Sequence, residues 1–172
     1  MTKRAVLLAS LFAAVNFWST VGGTAGAEES DTAALAAAMK TAKGTLHRAL
    51  IASQAHGTPI SAKFEIEDGN LQFSIYTMKG NDFMEIVADA KTGTIARLKE
   101  ITDAMDLNQA MEQKAAMAKA NVPLLTAAET AVSANAGFRA VSIYPQLQNG
   151  NPTAEVTLLQ GTTFKKVMQK LD

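Results

Sequence analysis

Apolar residues recur at intervals of three and four through the first part of the chain, then at every second position further on. Between Asp31 and His56, Leu35, Met39, Ala42, Leu46, Ala49 and Leu50 share one helical face in an alanine-rich stretch. Gly44 divides the run, which predicts two consecutive helical segments, the second from about Thr45 to Ala55. His56-Gly57-Thr58-Pro59 ends it, because Gly accepts a capping conformation and Pro cannot continue a helix. The period then falls to two. Phe64 and Ile66 take one side and Lys63, Glu65 and Glu67 the other, which predicts a strand with one wet face. Asp68-Gly69-Asn70 is a hairpin turn, and the return strand sets Leu71, Phe73 and Ile75 on the apolar face. Lys79-Gly80-Asn81-Asp82 turns the chain again. Phe83 to Ala88 is apolar on both faces, so this third strand is the most fully covered, and Thr94 to Leu98 makes a short fourth.

The second half repeats this order. Leu107 to Ala120 reads as a helix, Val122-Pro123 as a break, and Leu125 to Ala136 as a helix ending at Gly137. Strands follow at Phe138 to Leu147, Thr153 to Gln160 and Thr163 to Leu171. Placing Gly80 over Gly161 sets Ile75 over Val156, Met78 over Leu159, Phe83 over Phe164 and Ile86 over Val167, the mark of a duplicated unit.

The first residues depart from both periods. Lys3 and Arg4 precede an apolar run from Ala5 to Trp18, and small residues end at Ala25-Gly26-Ala27, the order of a secretory signal removed after Ala27. A spanning helix takes about 20 predominantly apolar residues, and this run is shorter and contains Asn16, so no stable membrane anchor is expected after cleavage. With no cysteine in the chain there is no lipid-attachment residue at that point and no disulfide, so an exported chain depends on an ordinary apolar core. Removing Lys3 and Arg4 leaves 14 basic against 16 acidic residues, and no basic stripe runs long enough for nucleic acid. Lys165, Lys166 and Lys170 on the final strand read as a guard against edge pairing.

The helix with Ala49, Ile51 and Ala52, the stop at Gly57, the alternation through Phe64, Ile66, Leu71, Phe73 and Ile75, and above all Val87-Ala88-Asp89-Ala90-Lys91-Thr92-Gly93 resemble the PepSY domain, a family named from peptidase propeptides and a spore-protein relative. The resemblance covers roughly Thr45 to Leu98 and, more weakly, Thr126 to the end, where Lys170-Leu171-Asp172 stands in place of the Asp-Ala-x-Thr-Gly turn. It implies a helix packed on antiparallel strands and, for some members, an inhibitory or localising role toward peptidases. The turn chemistry itself needs no family. An Asp carboxylate accepts from backbone N–H groups two and three residues on, Gly takes positive φ, and the Thr92 hydroxyl closes the turn, so Asp89, Thr92 and Gly93 read as structural.

Reactive constellations are weak. His47 and His56, nine residues apart on one helix, point to opposite sides, and zinc-type ligand spacing is missing. Met105, Met111 and Met117 rotate by about 240° per step and make no single copper-ligating face, so core filler is their ordinary reading. Glu65 and Glu67 could act as an acid and base pair, but a solvated strand face suits them better. No nucleophile elbow, catalytic cysteine or phosphate-cradling Gly-rich loop is present.

The expectation is an α+β chain of two similar units, each with one or two helices on a small antiparallel sheet of three to four strands, at 28–103 and 104–172 after a signal over 1–27. Leu46, Ala49 and Leu50 should meet Phe64, Ile66, Phe73 and Ile75 in the first core. The function expected is a non-enzymatic exported module, periplasmic or secreted, that recognises a protein or peptide, such as an exported peptidase, through an open strand edge or sheet face. The alternative is a small-ligand or metal sensor for copper, zinc or haem in a groove between the units. No catalytic, cofactor or metal residues are assigned.

Overall fold

The computed structural model describes residues 25–172, with side chains from Thr32 onward, so nearly all of the expected export signal lies outside the described residues. Helices α1 (Ala25–Met39) and α2 (Leu46–Ser53) lead through a short 3-10 turn into strands β1 (Thr58–Glu67), β2 (Asn70–Lys79), β3 (Asp82–Asp89) and β4 (Ile95–Glu100). Helices α3 (Ala104–Met117) and α4 (Leu124–Ser133) precede β5 (Arg139–Gln148), β6 (Asn151–Gln160) and β7 (Thr163–Lys170).

The expected pair of small sheets is not what forms. All seven strands make one antiparallel sheet in the order β4-β3-β2-β1-β5-β6-β7. The seam is β1 against β5, where Ala62 faces Ile143 and Lys63 faces Ser142. The physical reason lies in what separate sheets would leave behind. β1 and β5 would each carry an unpaired edge in their most apolar stretch, with unmet N–H and C=O groups beside Ala62, Phe64, Val141 and Ile143. Pairing the two edges satisfies the backbone and merges the cores, since residues from both halves fill one cluster that includes Leu50, Phe73, Ile143, Val156 and Leu158.

Helices cover both faces of this sheet. α1 and α2 lie over β1 and β2, and α4 lies over β5, β6 and β7. On that side Leu46, Ala49 and Leu50 meet Phe64, Phe73 and Ile75 as the helical period predicts. Ile66 does not join them. It sits at the far end of β1, beyond the reach of α2, and remains 37% exposed. α3 packs on the opposite side, mainly on β5, and closes a smaller cluster of Ile60, Tyr76, Phe83, Ile101 and Ala110. A register shift between Pro59 and Ser61 frees Ile60 from the ladder, and Ile60 belongs to this second cluster while Ala62 belongs to the first.

Local chemistry fixes the element ends. Thr45 caps α2 by accepting from the Arg48 N–H, and Asp103 caps α3 by accepting from Met105 and Asp106. The last residues are held as well. The Leu171 carbonyl accepts from the backbone of Asn121 and Val122, its N–H donates to the Pro152 carbonyl, and its side chain is fully buried.

Candidate functional site

The β3–β4 turn forms as its residue types require. Asp89 Oδ1 accepts from the Lys91 N–H (3.0 Å), the Thr92 N–H (2.7 Å) and the Thr92 hydroxyl (2.8 Å), and Gly93 takes a φ of 75°. These hydrogen bonds, the Thr92 backbone first, hold the Asp89 carboxyl below the usual carboxylate range.

The α1–α2 linker crosses above this turn, and its position depends on Gly44. The Gly44 N–H donates to the Ala90 carbonyl at 3.0 Å. A β-carbon on Gly44 would lie 2.7 Å from the Phe73 ring and 2.8 Å from the Ala90 oxygen, so any side chain here would force its neighbours to shift. From the other side, Arg139 on β5 donates to the carbonyls of Met39 (3.3 Å), Ala42 (3.4 Å) and Gly44 (2.6 Å) while its guanidinium lies over the Phe64 ring. A cation at the C-terminal end of α1 also suits the helix dipole.

Under this linker lies a cavity of about 360 Å³. Its floor is Phe73, Ile75, Ile86 and Ala88, and Ala49 and Ala52 of α2 form one wall. Lys43, Arg48 and Lys91 stand at the rim, all exposed. The cavity exists because α2 covers β1 and β2 and stops short of β4, the edge strand. Beyond it the apolar side chain of Leu98 on β4 is 45% exposed, opposite Ile86 in the ladder, and Ile51 on α2 is 47% exposed.

The opposite face of β1 to β4 is polar, but drier than the alternation suggests. The side chains of Glu65 and Glu67 are only 17% and 21% exposed. Lys63 pairs with Glu65, and the Gln72 amide donates to both Glu65 and Glu67. Glu85, nearly fully buried, accepts from the Ser74 hydroxyl at 2.7 Å, and Arg97 lies 3.9 Å from Glu67 and 4.0 Å from Glu85. Every carboxylate in this row has a polar or cationic neighbour, so it reads as a packed ladder of cross-strand pairs. Period-two reasoning missed the burial because it cannot see the neighbouring strands that supply the cover. Beneath α3, burial raises the carboxyl of Asp106, which accepts a hydrogen bond from Tyr76, and burial likewise raises the Tyr76 hydroxyl.

The two histidines are far apart in role. His47 Nδ1 meets Glu129 of α4 at 2.8 Å, and His56 ends the 3-10 turn beside a shallow hollow. Among the described residues no three His, Cys, Asp or Glu side chains gather as a metal site, and no helix is long and apolar enough to cross a membrane. The methionines divide. Met117 packs against both clusters as core filler, whereas Met105 and Met111 are 55% and 59% exposed, because α3 turns Asp106, Ala110, Gln113 and Ala116 to the sheet.

No protein-family model matches the chain, and no curated protein matches it. Among solved structures, one from Clostridium difficile 630, named as a "putative lipoprotein", aligns with a TM-score of 0.41 at 13% identity, over 71% of this chain and 82% of that one.

Proposed function

We propose that this chain is an exported, non-enzymatic binding module that takes an extended segment of a partner protein at the open edge of β4. The observation that carries the reading is the state of that edge. β4 ends the sheet, nearly all its residues are exposed, and Leu98 presents an apolar side chain where helical cover has stopped. An added strand would satisfy the free backbone groups of β4 and cover Leu98. The other edge, β7, is less inviting: Lys165 donates to Asn135 Oδ1, Lys166 pairs with Glu155, and the strand carries three lysines. Export to the periplasm or beyond is supported by Lys3, Arg4 and the apolar run to Trp18. The PepSY resemblance of the helix, strands and Asp89 turn supports an exported peptidase as the partner class.

The test compares purified wild type with Leu98→Asp, an exposed change that leaves the core intact. Immobilised wild type should enrich defined proteins from a periplasmic extract, and L98D should lose them. Enrichment that is absent, or indifferent to L98D, rules out the β4 edge.

A further inference from the structure

We infer that the cavity under the α1–α2 linker is a binding site for a single-chain amphiphile with an anionic head, a carboxylate with an unbranched hydrocarbon tail. This rests on the cavity and is independent of strand addition at β4. Its volume, about 360 Å³, falls within the roughly 300–1,000 Å³ of small-molecule sites. The floor offers hydrocarbon alone, since Phe73, Ile75, Ile86 and Ala88 carry no polar side-chain atoms. The two hydroxyls in the lining are engaged: Ser53 donates to the Leu50 carbonyl and Thr92 to Asp89. A peptide backbone laid along this floor would find no side-chain partners for its N–H and C=O groups and would lose them from water, whereas an alkyl tail needs none.

The rim has the opposite character. Lys43, Arg48 and Lys91 are its charged residues, no carboxylate lines the cavity, and among the described residues none of the three forms an ion pair. The nearest carboxylate along the chain, Asp89, has Oδ1 engaged by three donors within its own turn. Three cations over a hydrocarbon slot complement one anionic head above one tail. The roof of the slot, Lys43-Gly44, is held through the Gly44 N–H by Ala90 and through the Gly44 carbonyl by Arg139. Phe73, Ile75 and Ile86 on the floor are each 1% exposed, so a tail enters by parting α2 from the sheet beneath that fixed roof.

The test titrates the full-length mature protein with dodecanoate, 1-dodecanol and dodecyltrimethylammonium below their micellar concentrations, read by calorimetry. Dodecanoate should bind at one saturable site, at least tenfold more tightly than the other two. Ala52→Trp, at an exposed position on the cavity wall, should abolish that heat while leaving the thermal unfolding midpoint unchanged. The triple charge reversal K43E/R48E/K91E should weaken dodecanoate at least tenfold and strengthen the ammonium ligand. The inference is overturned if dodecanoate gives no saturable heat, if A52W does not affect it, or if all three ligands bind alike. Self-association abolished by A52W without dodecanoate binding would assign the cavity to a second copy of the chain, and would overturn it too. Loss of partner capture in L98D with dodecanoate binding retained would separate this site from the β4 edge.

Discussion

Asp89 shows how a single side chain can set a turn and record it in a titration. Its carboxyl lies below the usual range because Thr92 and Lys91 donate to the charged form. A depressed folded pKa gives stability that is present above the unfolded value and lost as pH falls through the folded one. Asp89→Ala should therefore lower the unfolding midpoint at pH 7, and the difference from wild type should shrink as the pH drops below about 4, the ordinary carboxylate range. Asp106 has the opposite sign. Burial raises its carboxyl, so the ionised form costs stability as pH rises from the unfolded value through the folded one. Asp106→Asn keeps an acceptor for the Tyr76 hydroxyl and removes the charge. It should raise the midpoint at pH 7 and make no gain below about pH 4, where the wild-type side chain is protonated in either state. A midpoint difference independent of pH in either variant would refute the assignment.

At the level of elements, the linker between α1 and α2 matters more than its length suggests. Gly44→Ala would drive a methyl into the Phe73 ring and the Ala90 carbonyl, and overpacking of this kind costs about 1–3 kcal/mol. Arg139→Met keeps the hydrocarbon stem and removes three hydrogen bonds to the end of α1 and the linker, a loss of about 1.5–3 kcal/mol for charge-assisted bonds. Leu50→Ala, in the fully buried face of α2, should cost about 2–5 kcal/mol by leaving a cavity. Urea unfolding of the three variants measures all of these. If linker and helix move together, hydrogen exchange in Arg139→Met should rise across both α1 and Lys40–Gly44, while a rise confined to β5 would count against the clamp.

For the whole molecule the decisive contact is the β1–β5 seam. Ala62 is fully buried there and faces Ile143, so Ala62→Pro removes a donor from an interior strand and should cost at least about 1–3 kcal/mol for the carbonyl left unmet. Because one core spans both halves, wild type should unfold in a single cooperative transition seen alike by far-ultraviolet circular dichroism and by Trp-independent tyrosine fluorescence of Tyr76 and Tyr144. Two resolved transitions would mean that the seam does not couple the halves.

Elements and turns were legible in the chain because they depend on neighbours a few residues apart. The three-and-four spacing of Leu46, Ala49 and Leu50 defines a helical face, the alternation through Phe64, Phe73 and Ile75 defines strand faces, and Asp89 with Gly93 defines a turn by its own hydrogen bonds. The β1–β5 pairing was beyond such reasoning, because two apolar strand edges can each be buried in several ways and sequence spacing does not choose among them. Placement of α3 on the far face, exposure of Ile66, partial burial of Glu65 and Glu67, and the roofed cavity beside α2 likewise depend on which distant elements meet. Local periodicity thus set what each segment is, and long-range packing of unpaired edges and apolar faces set where each segment lies.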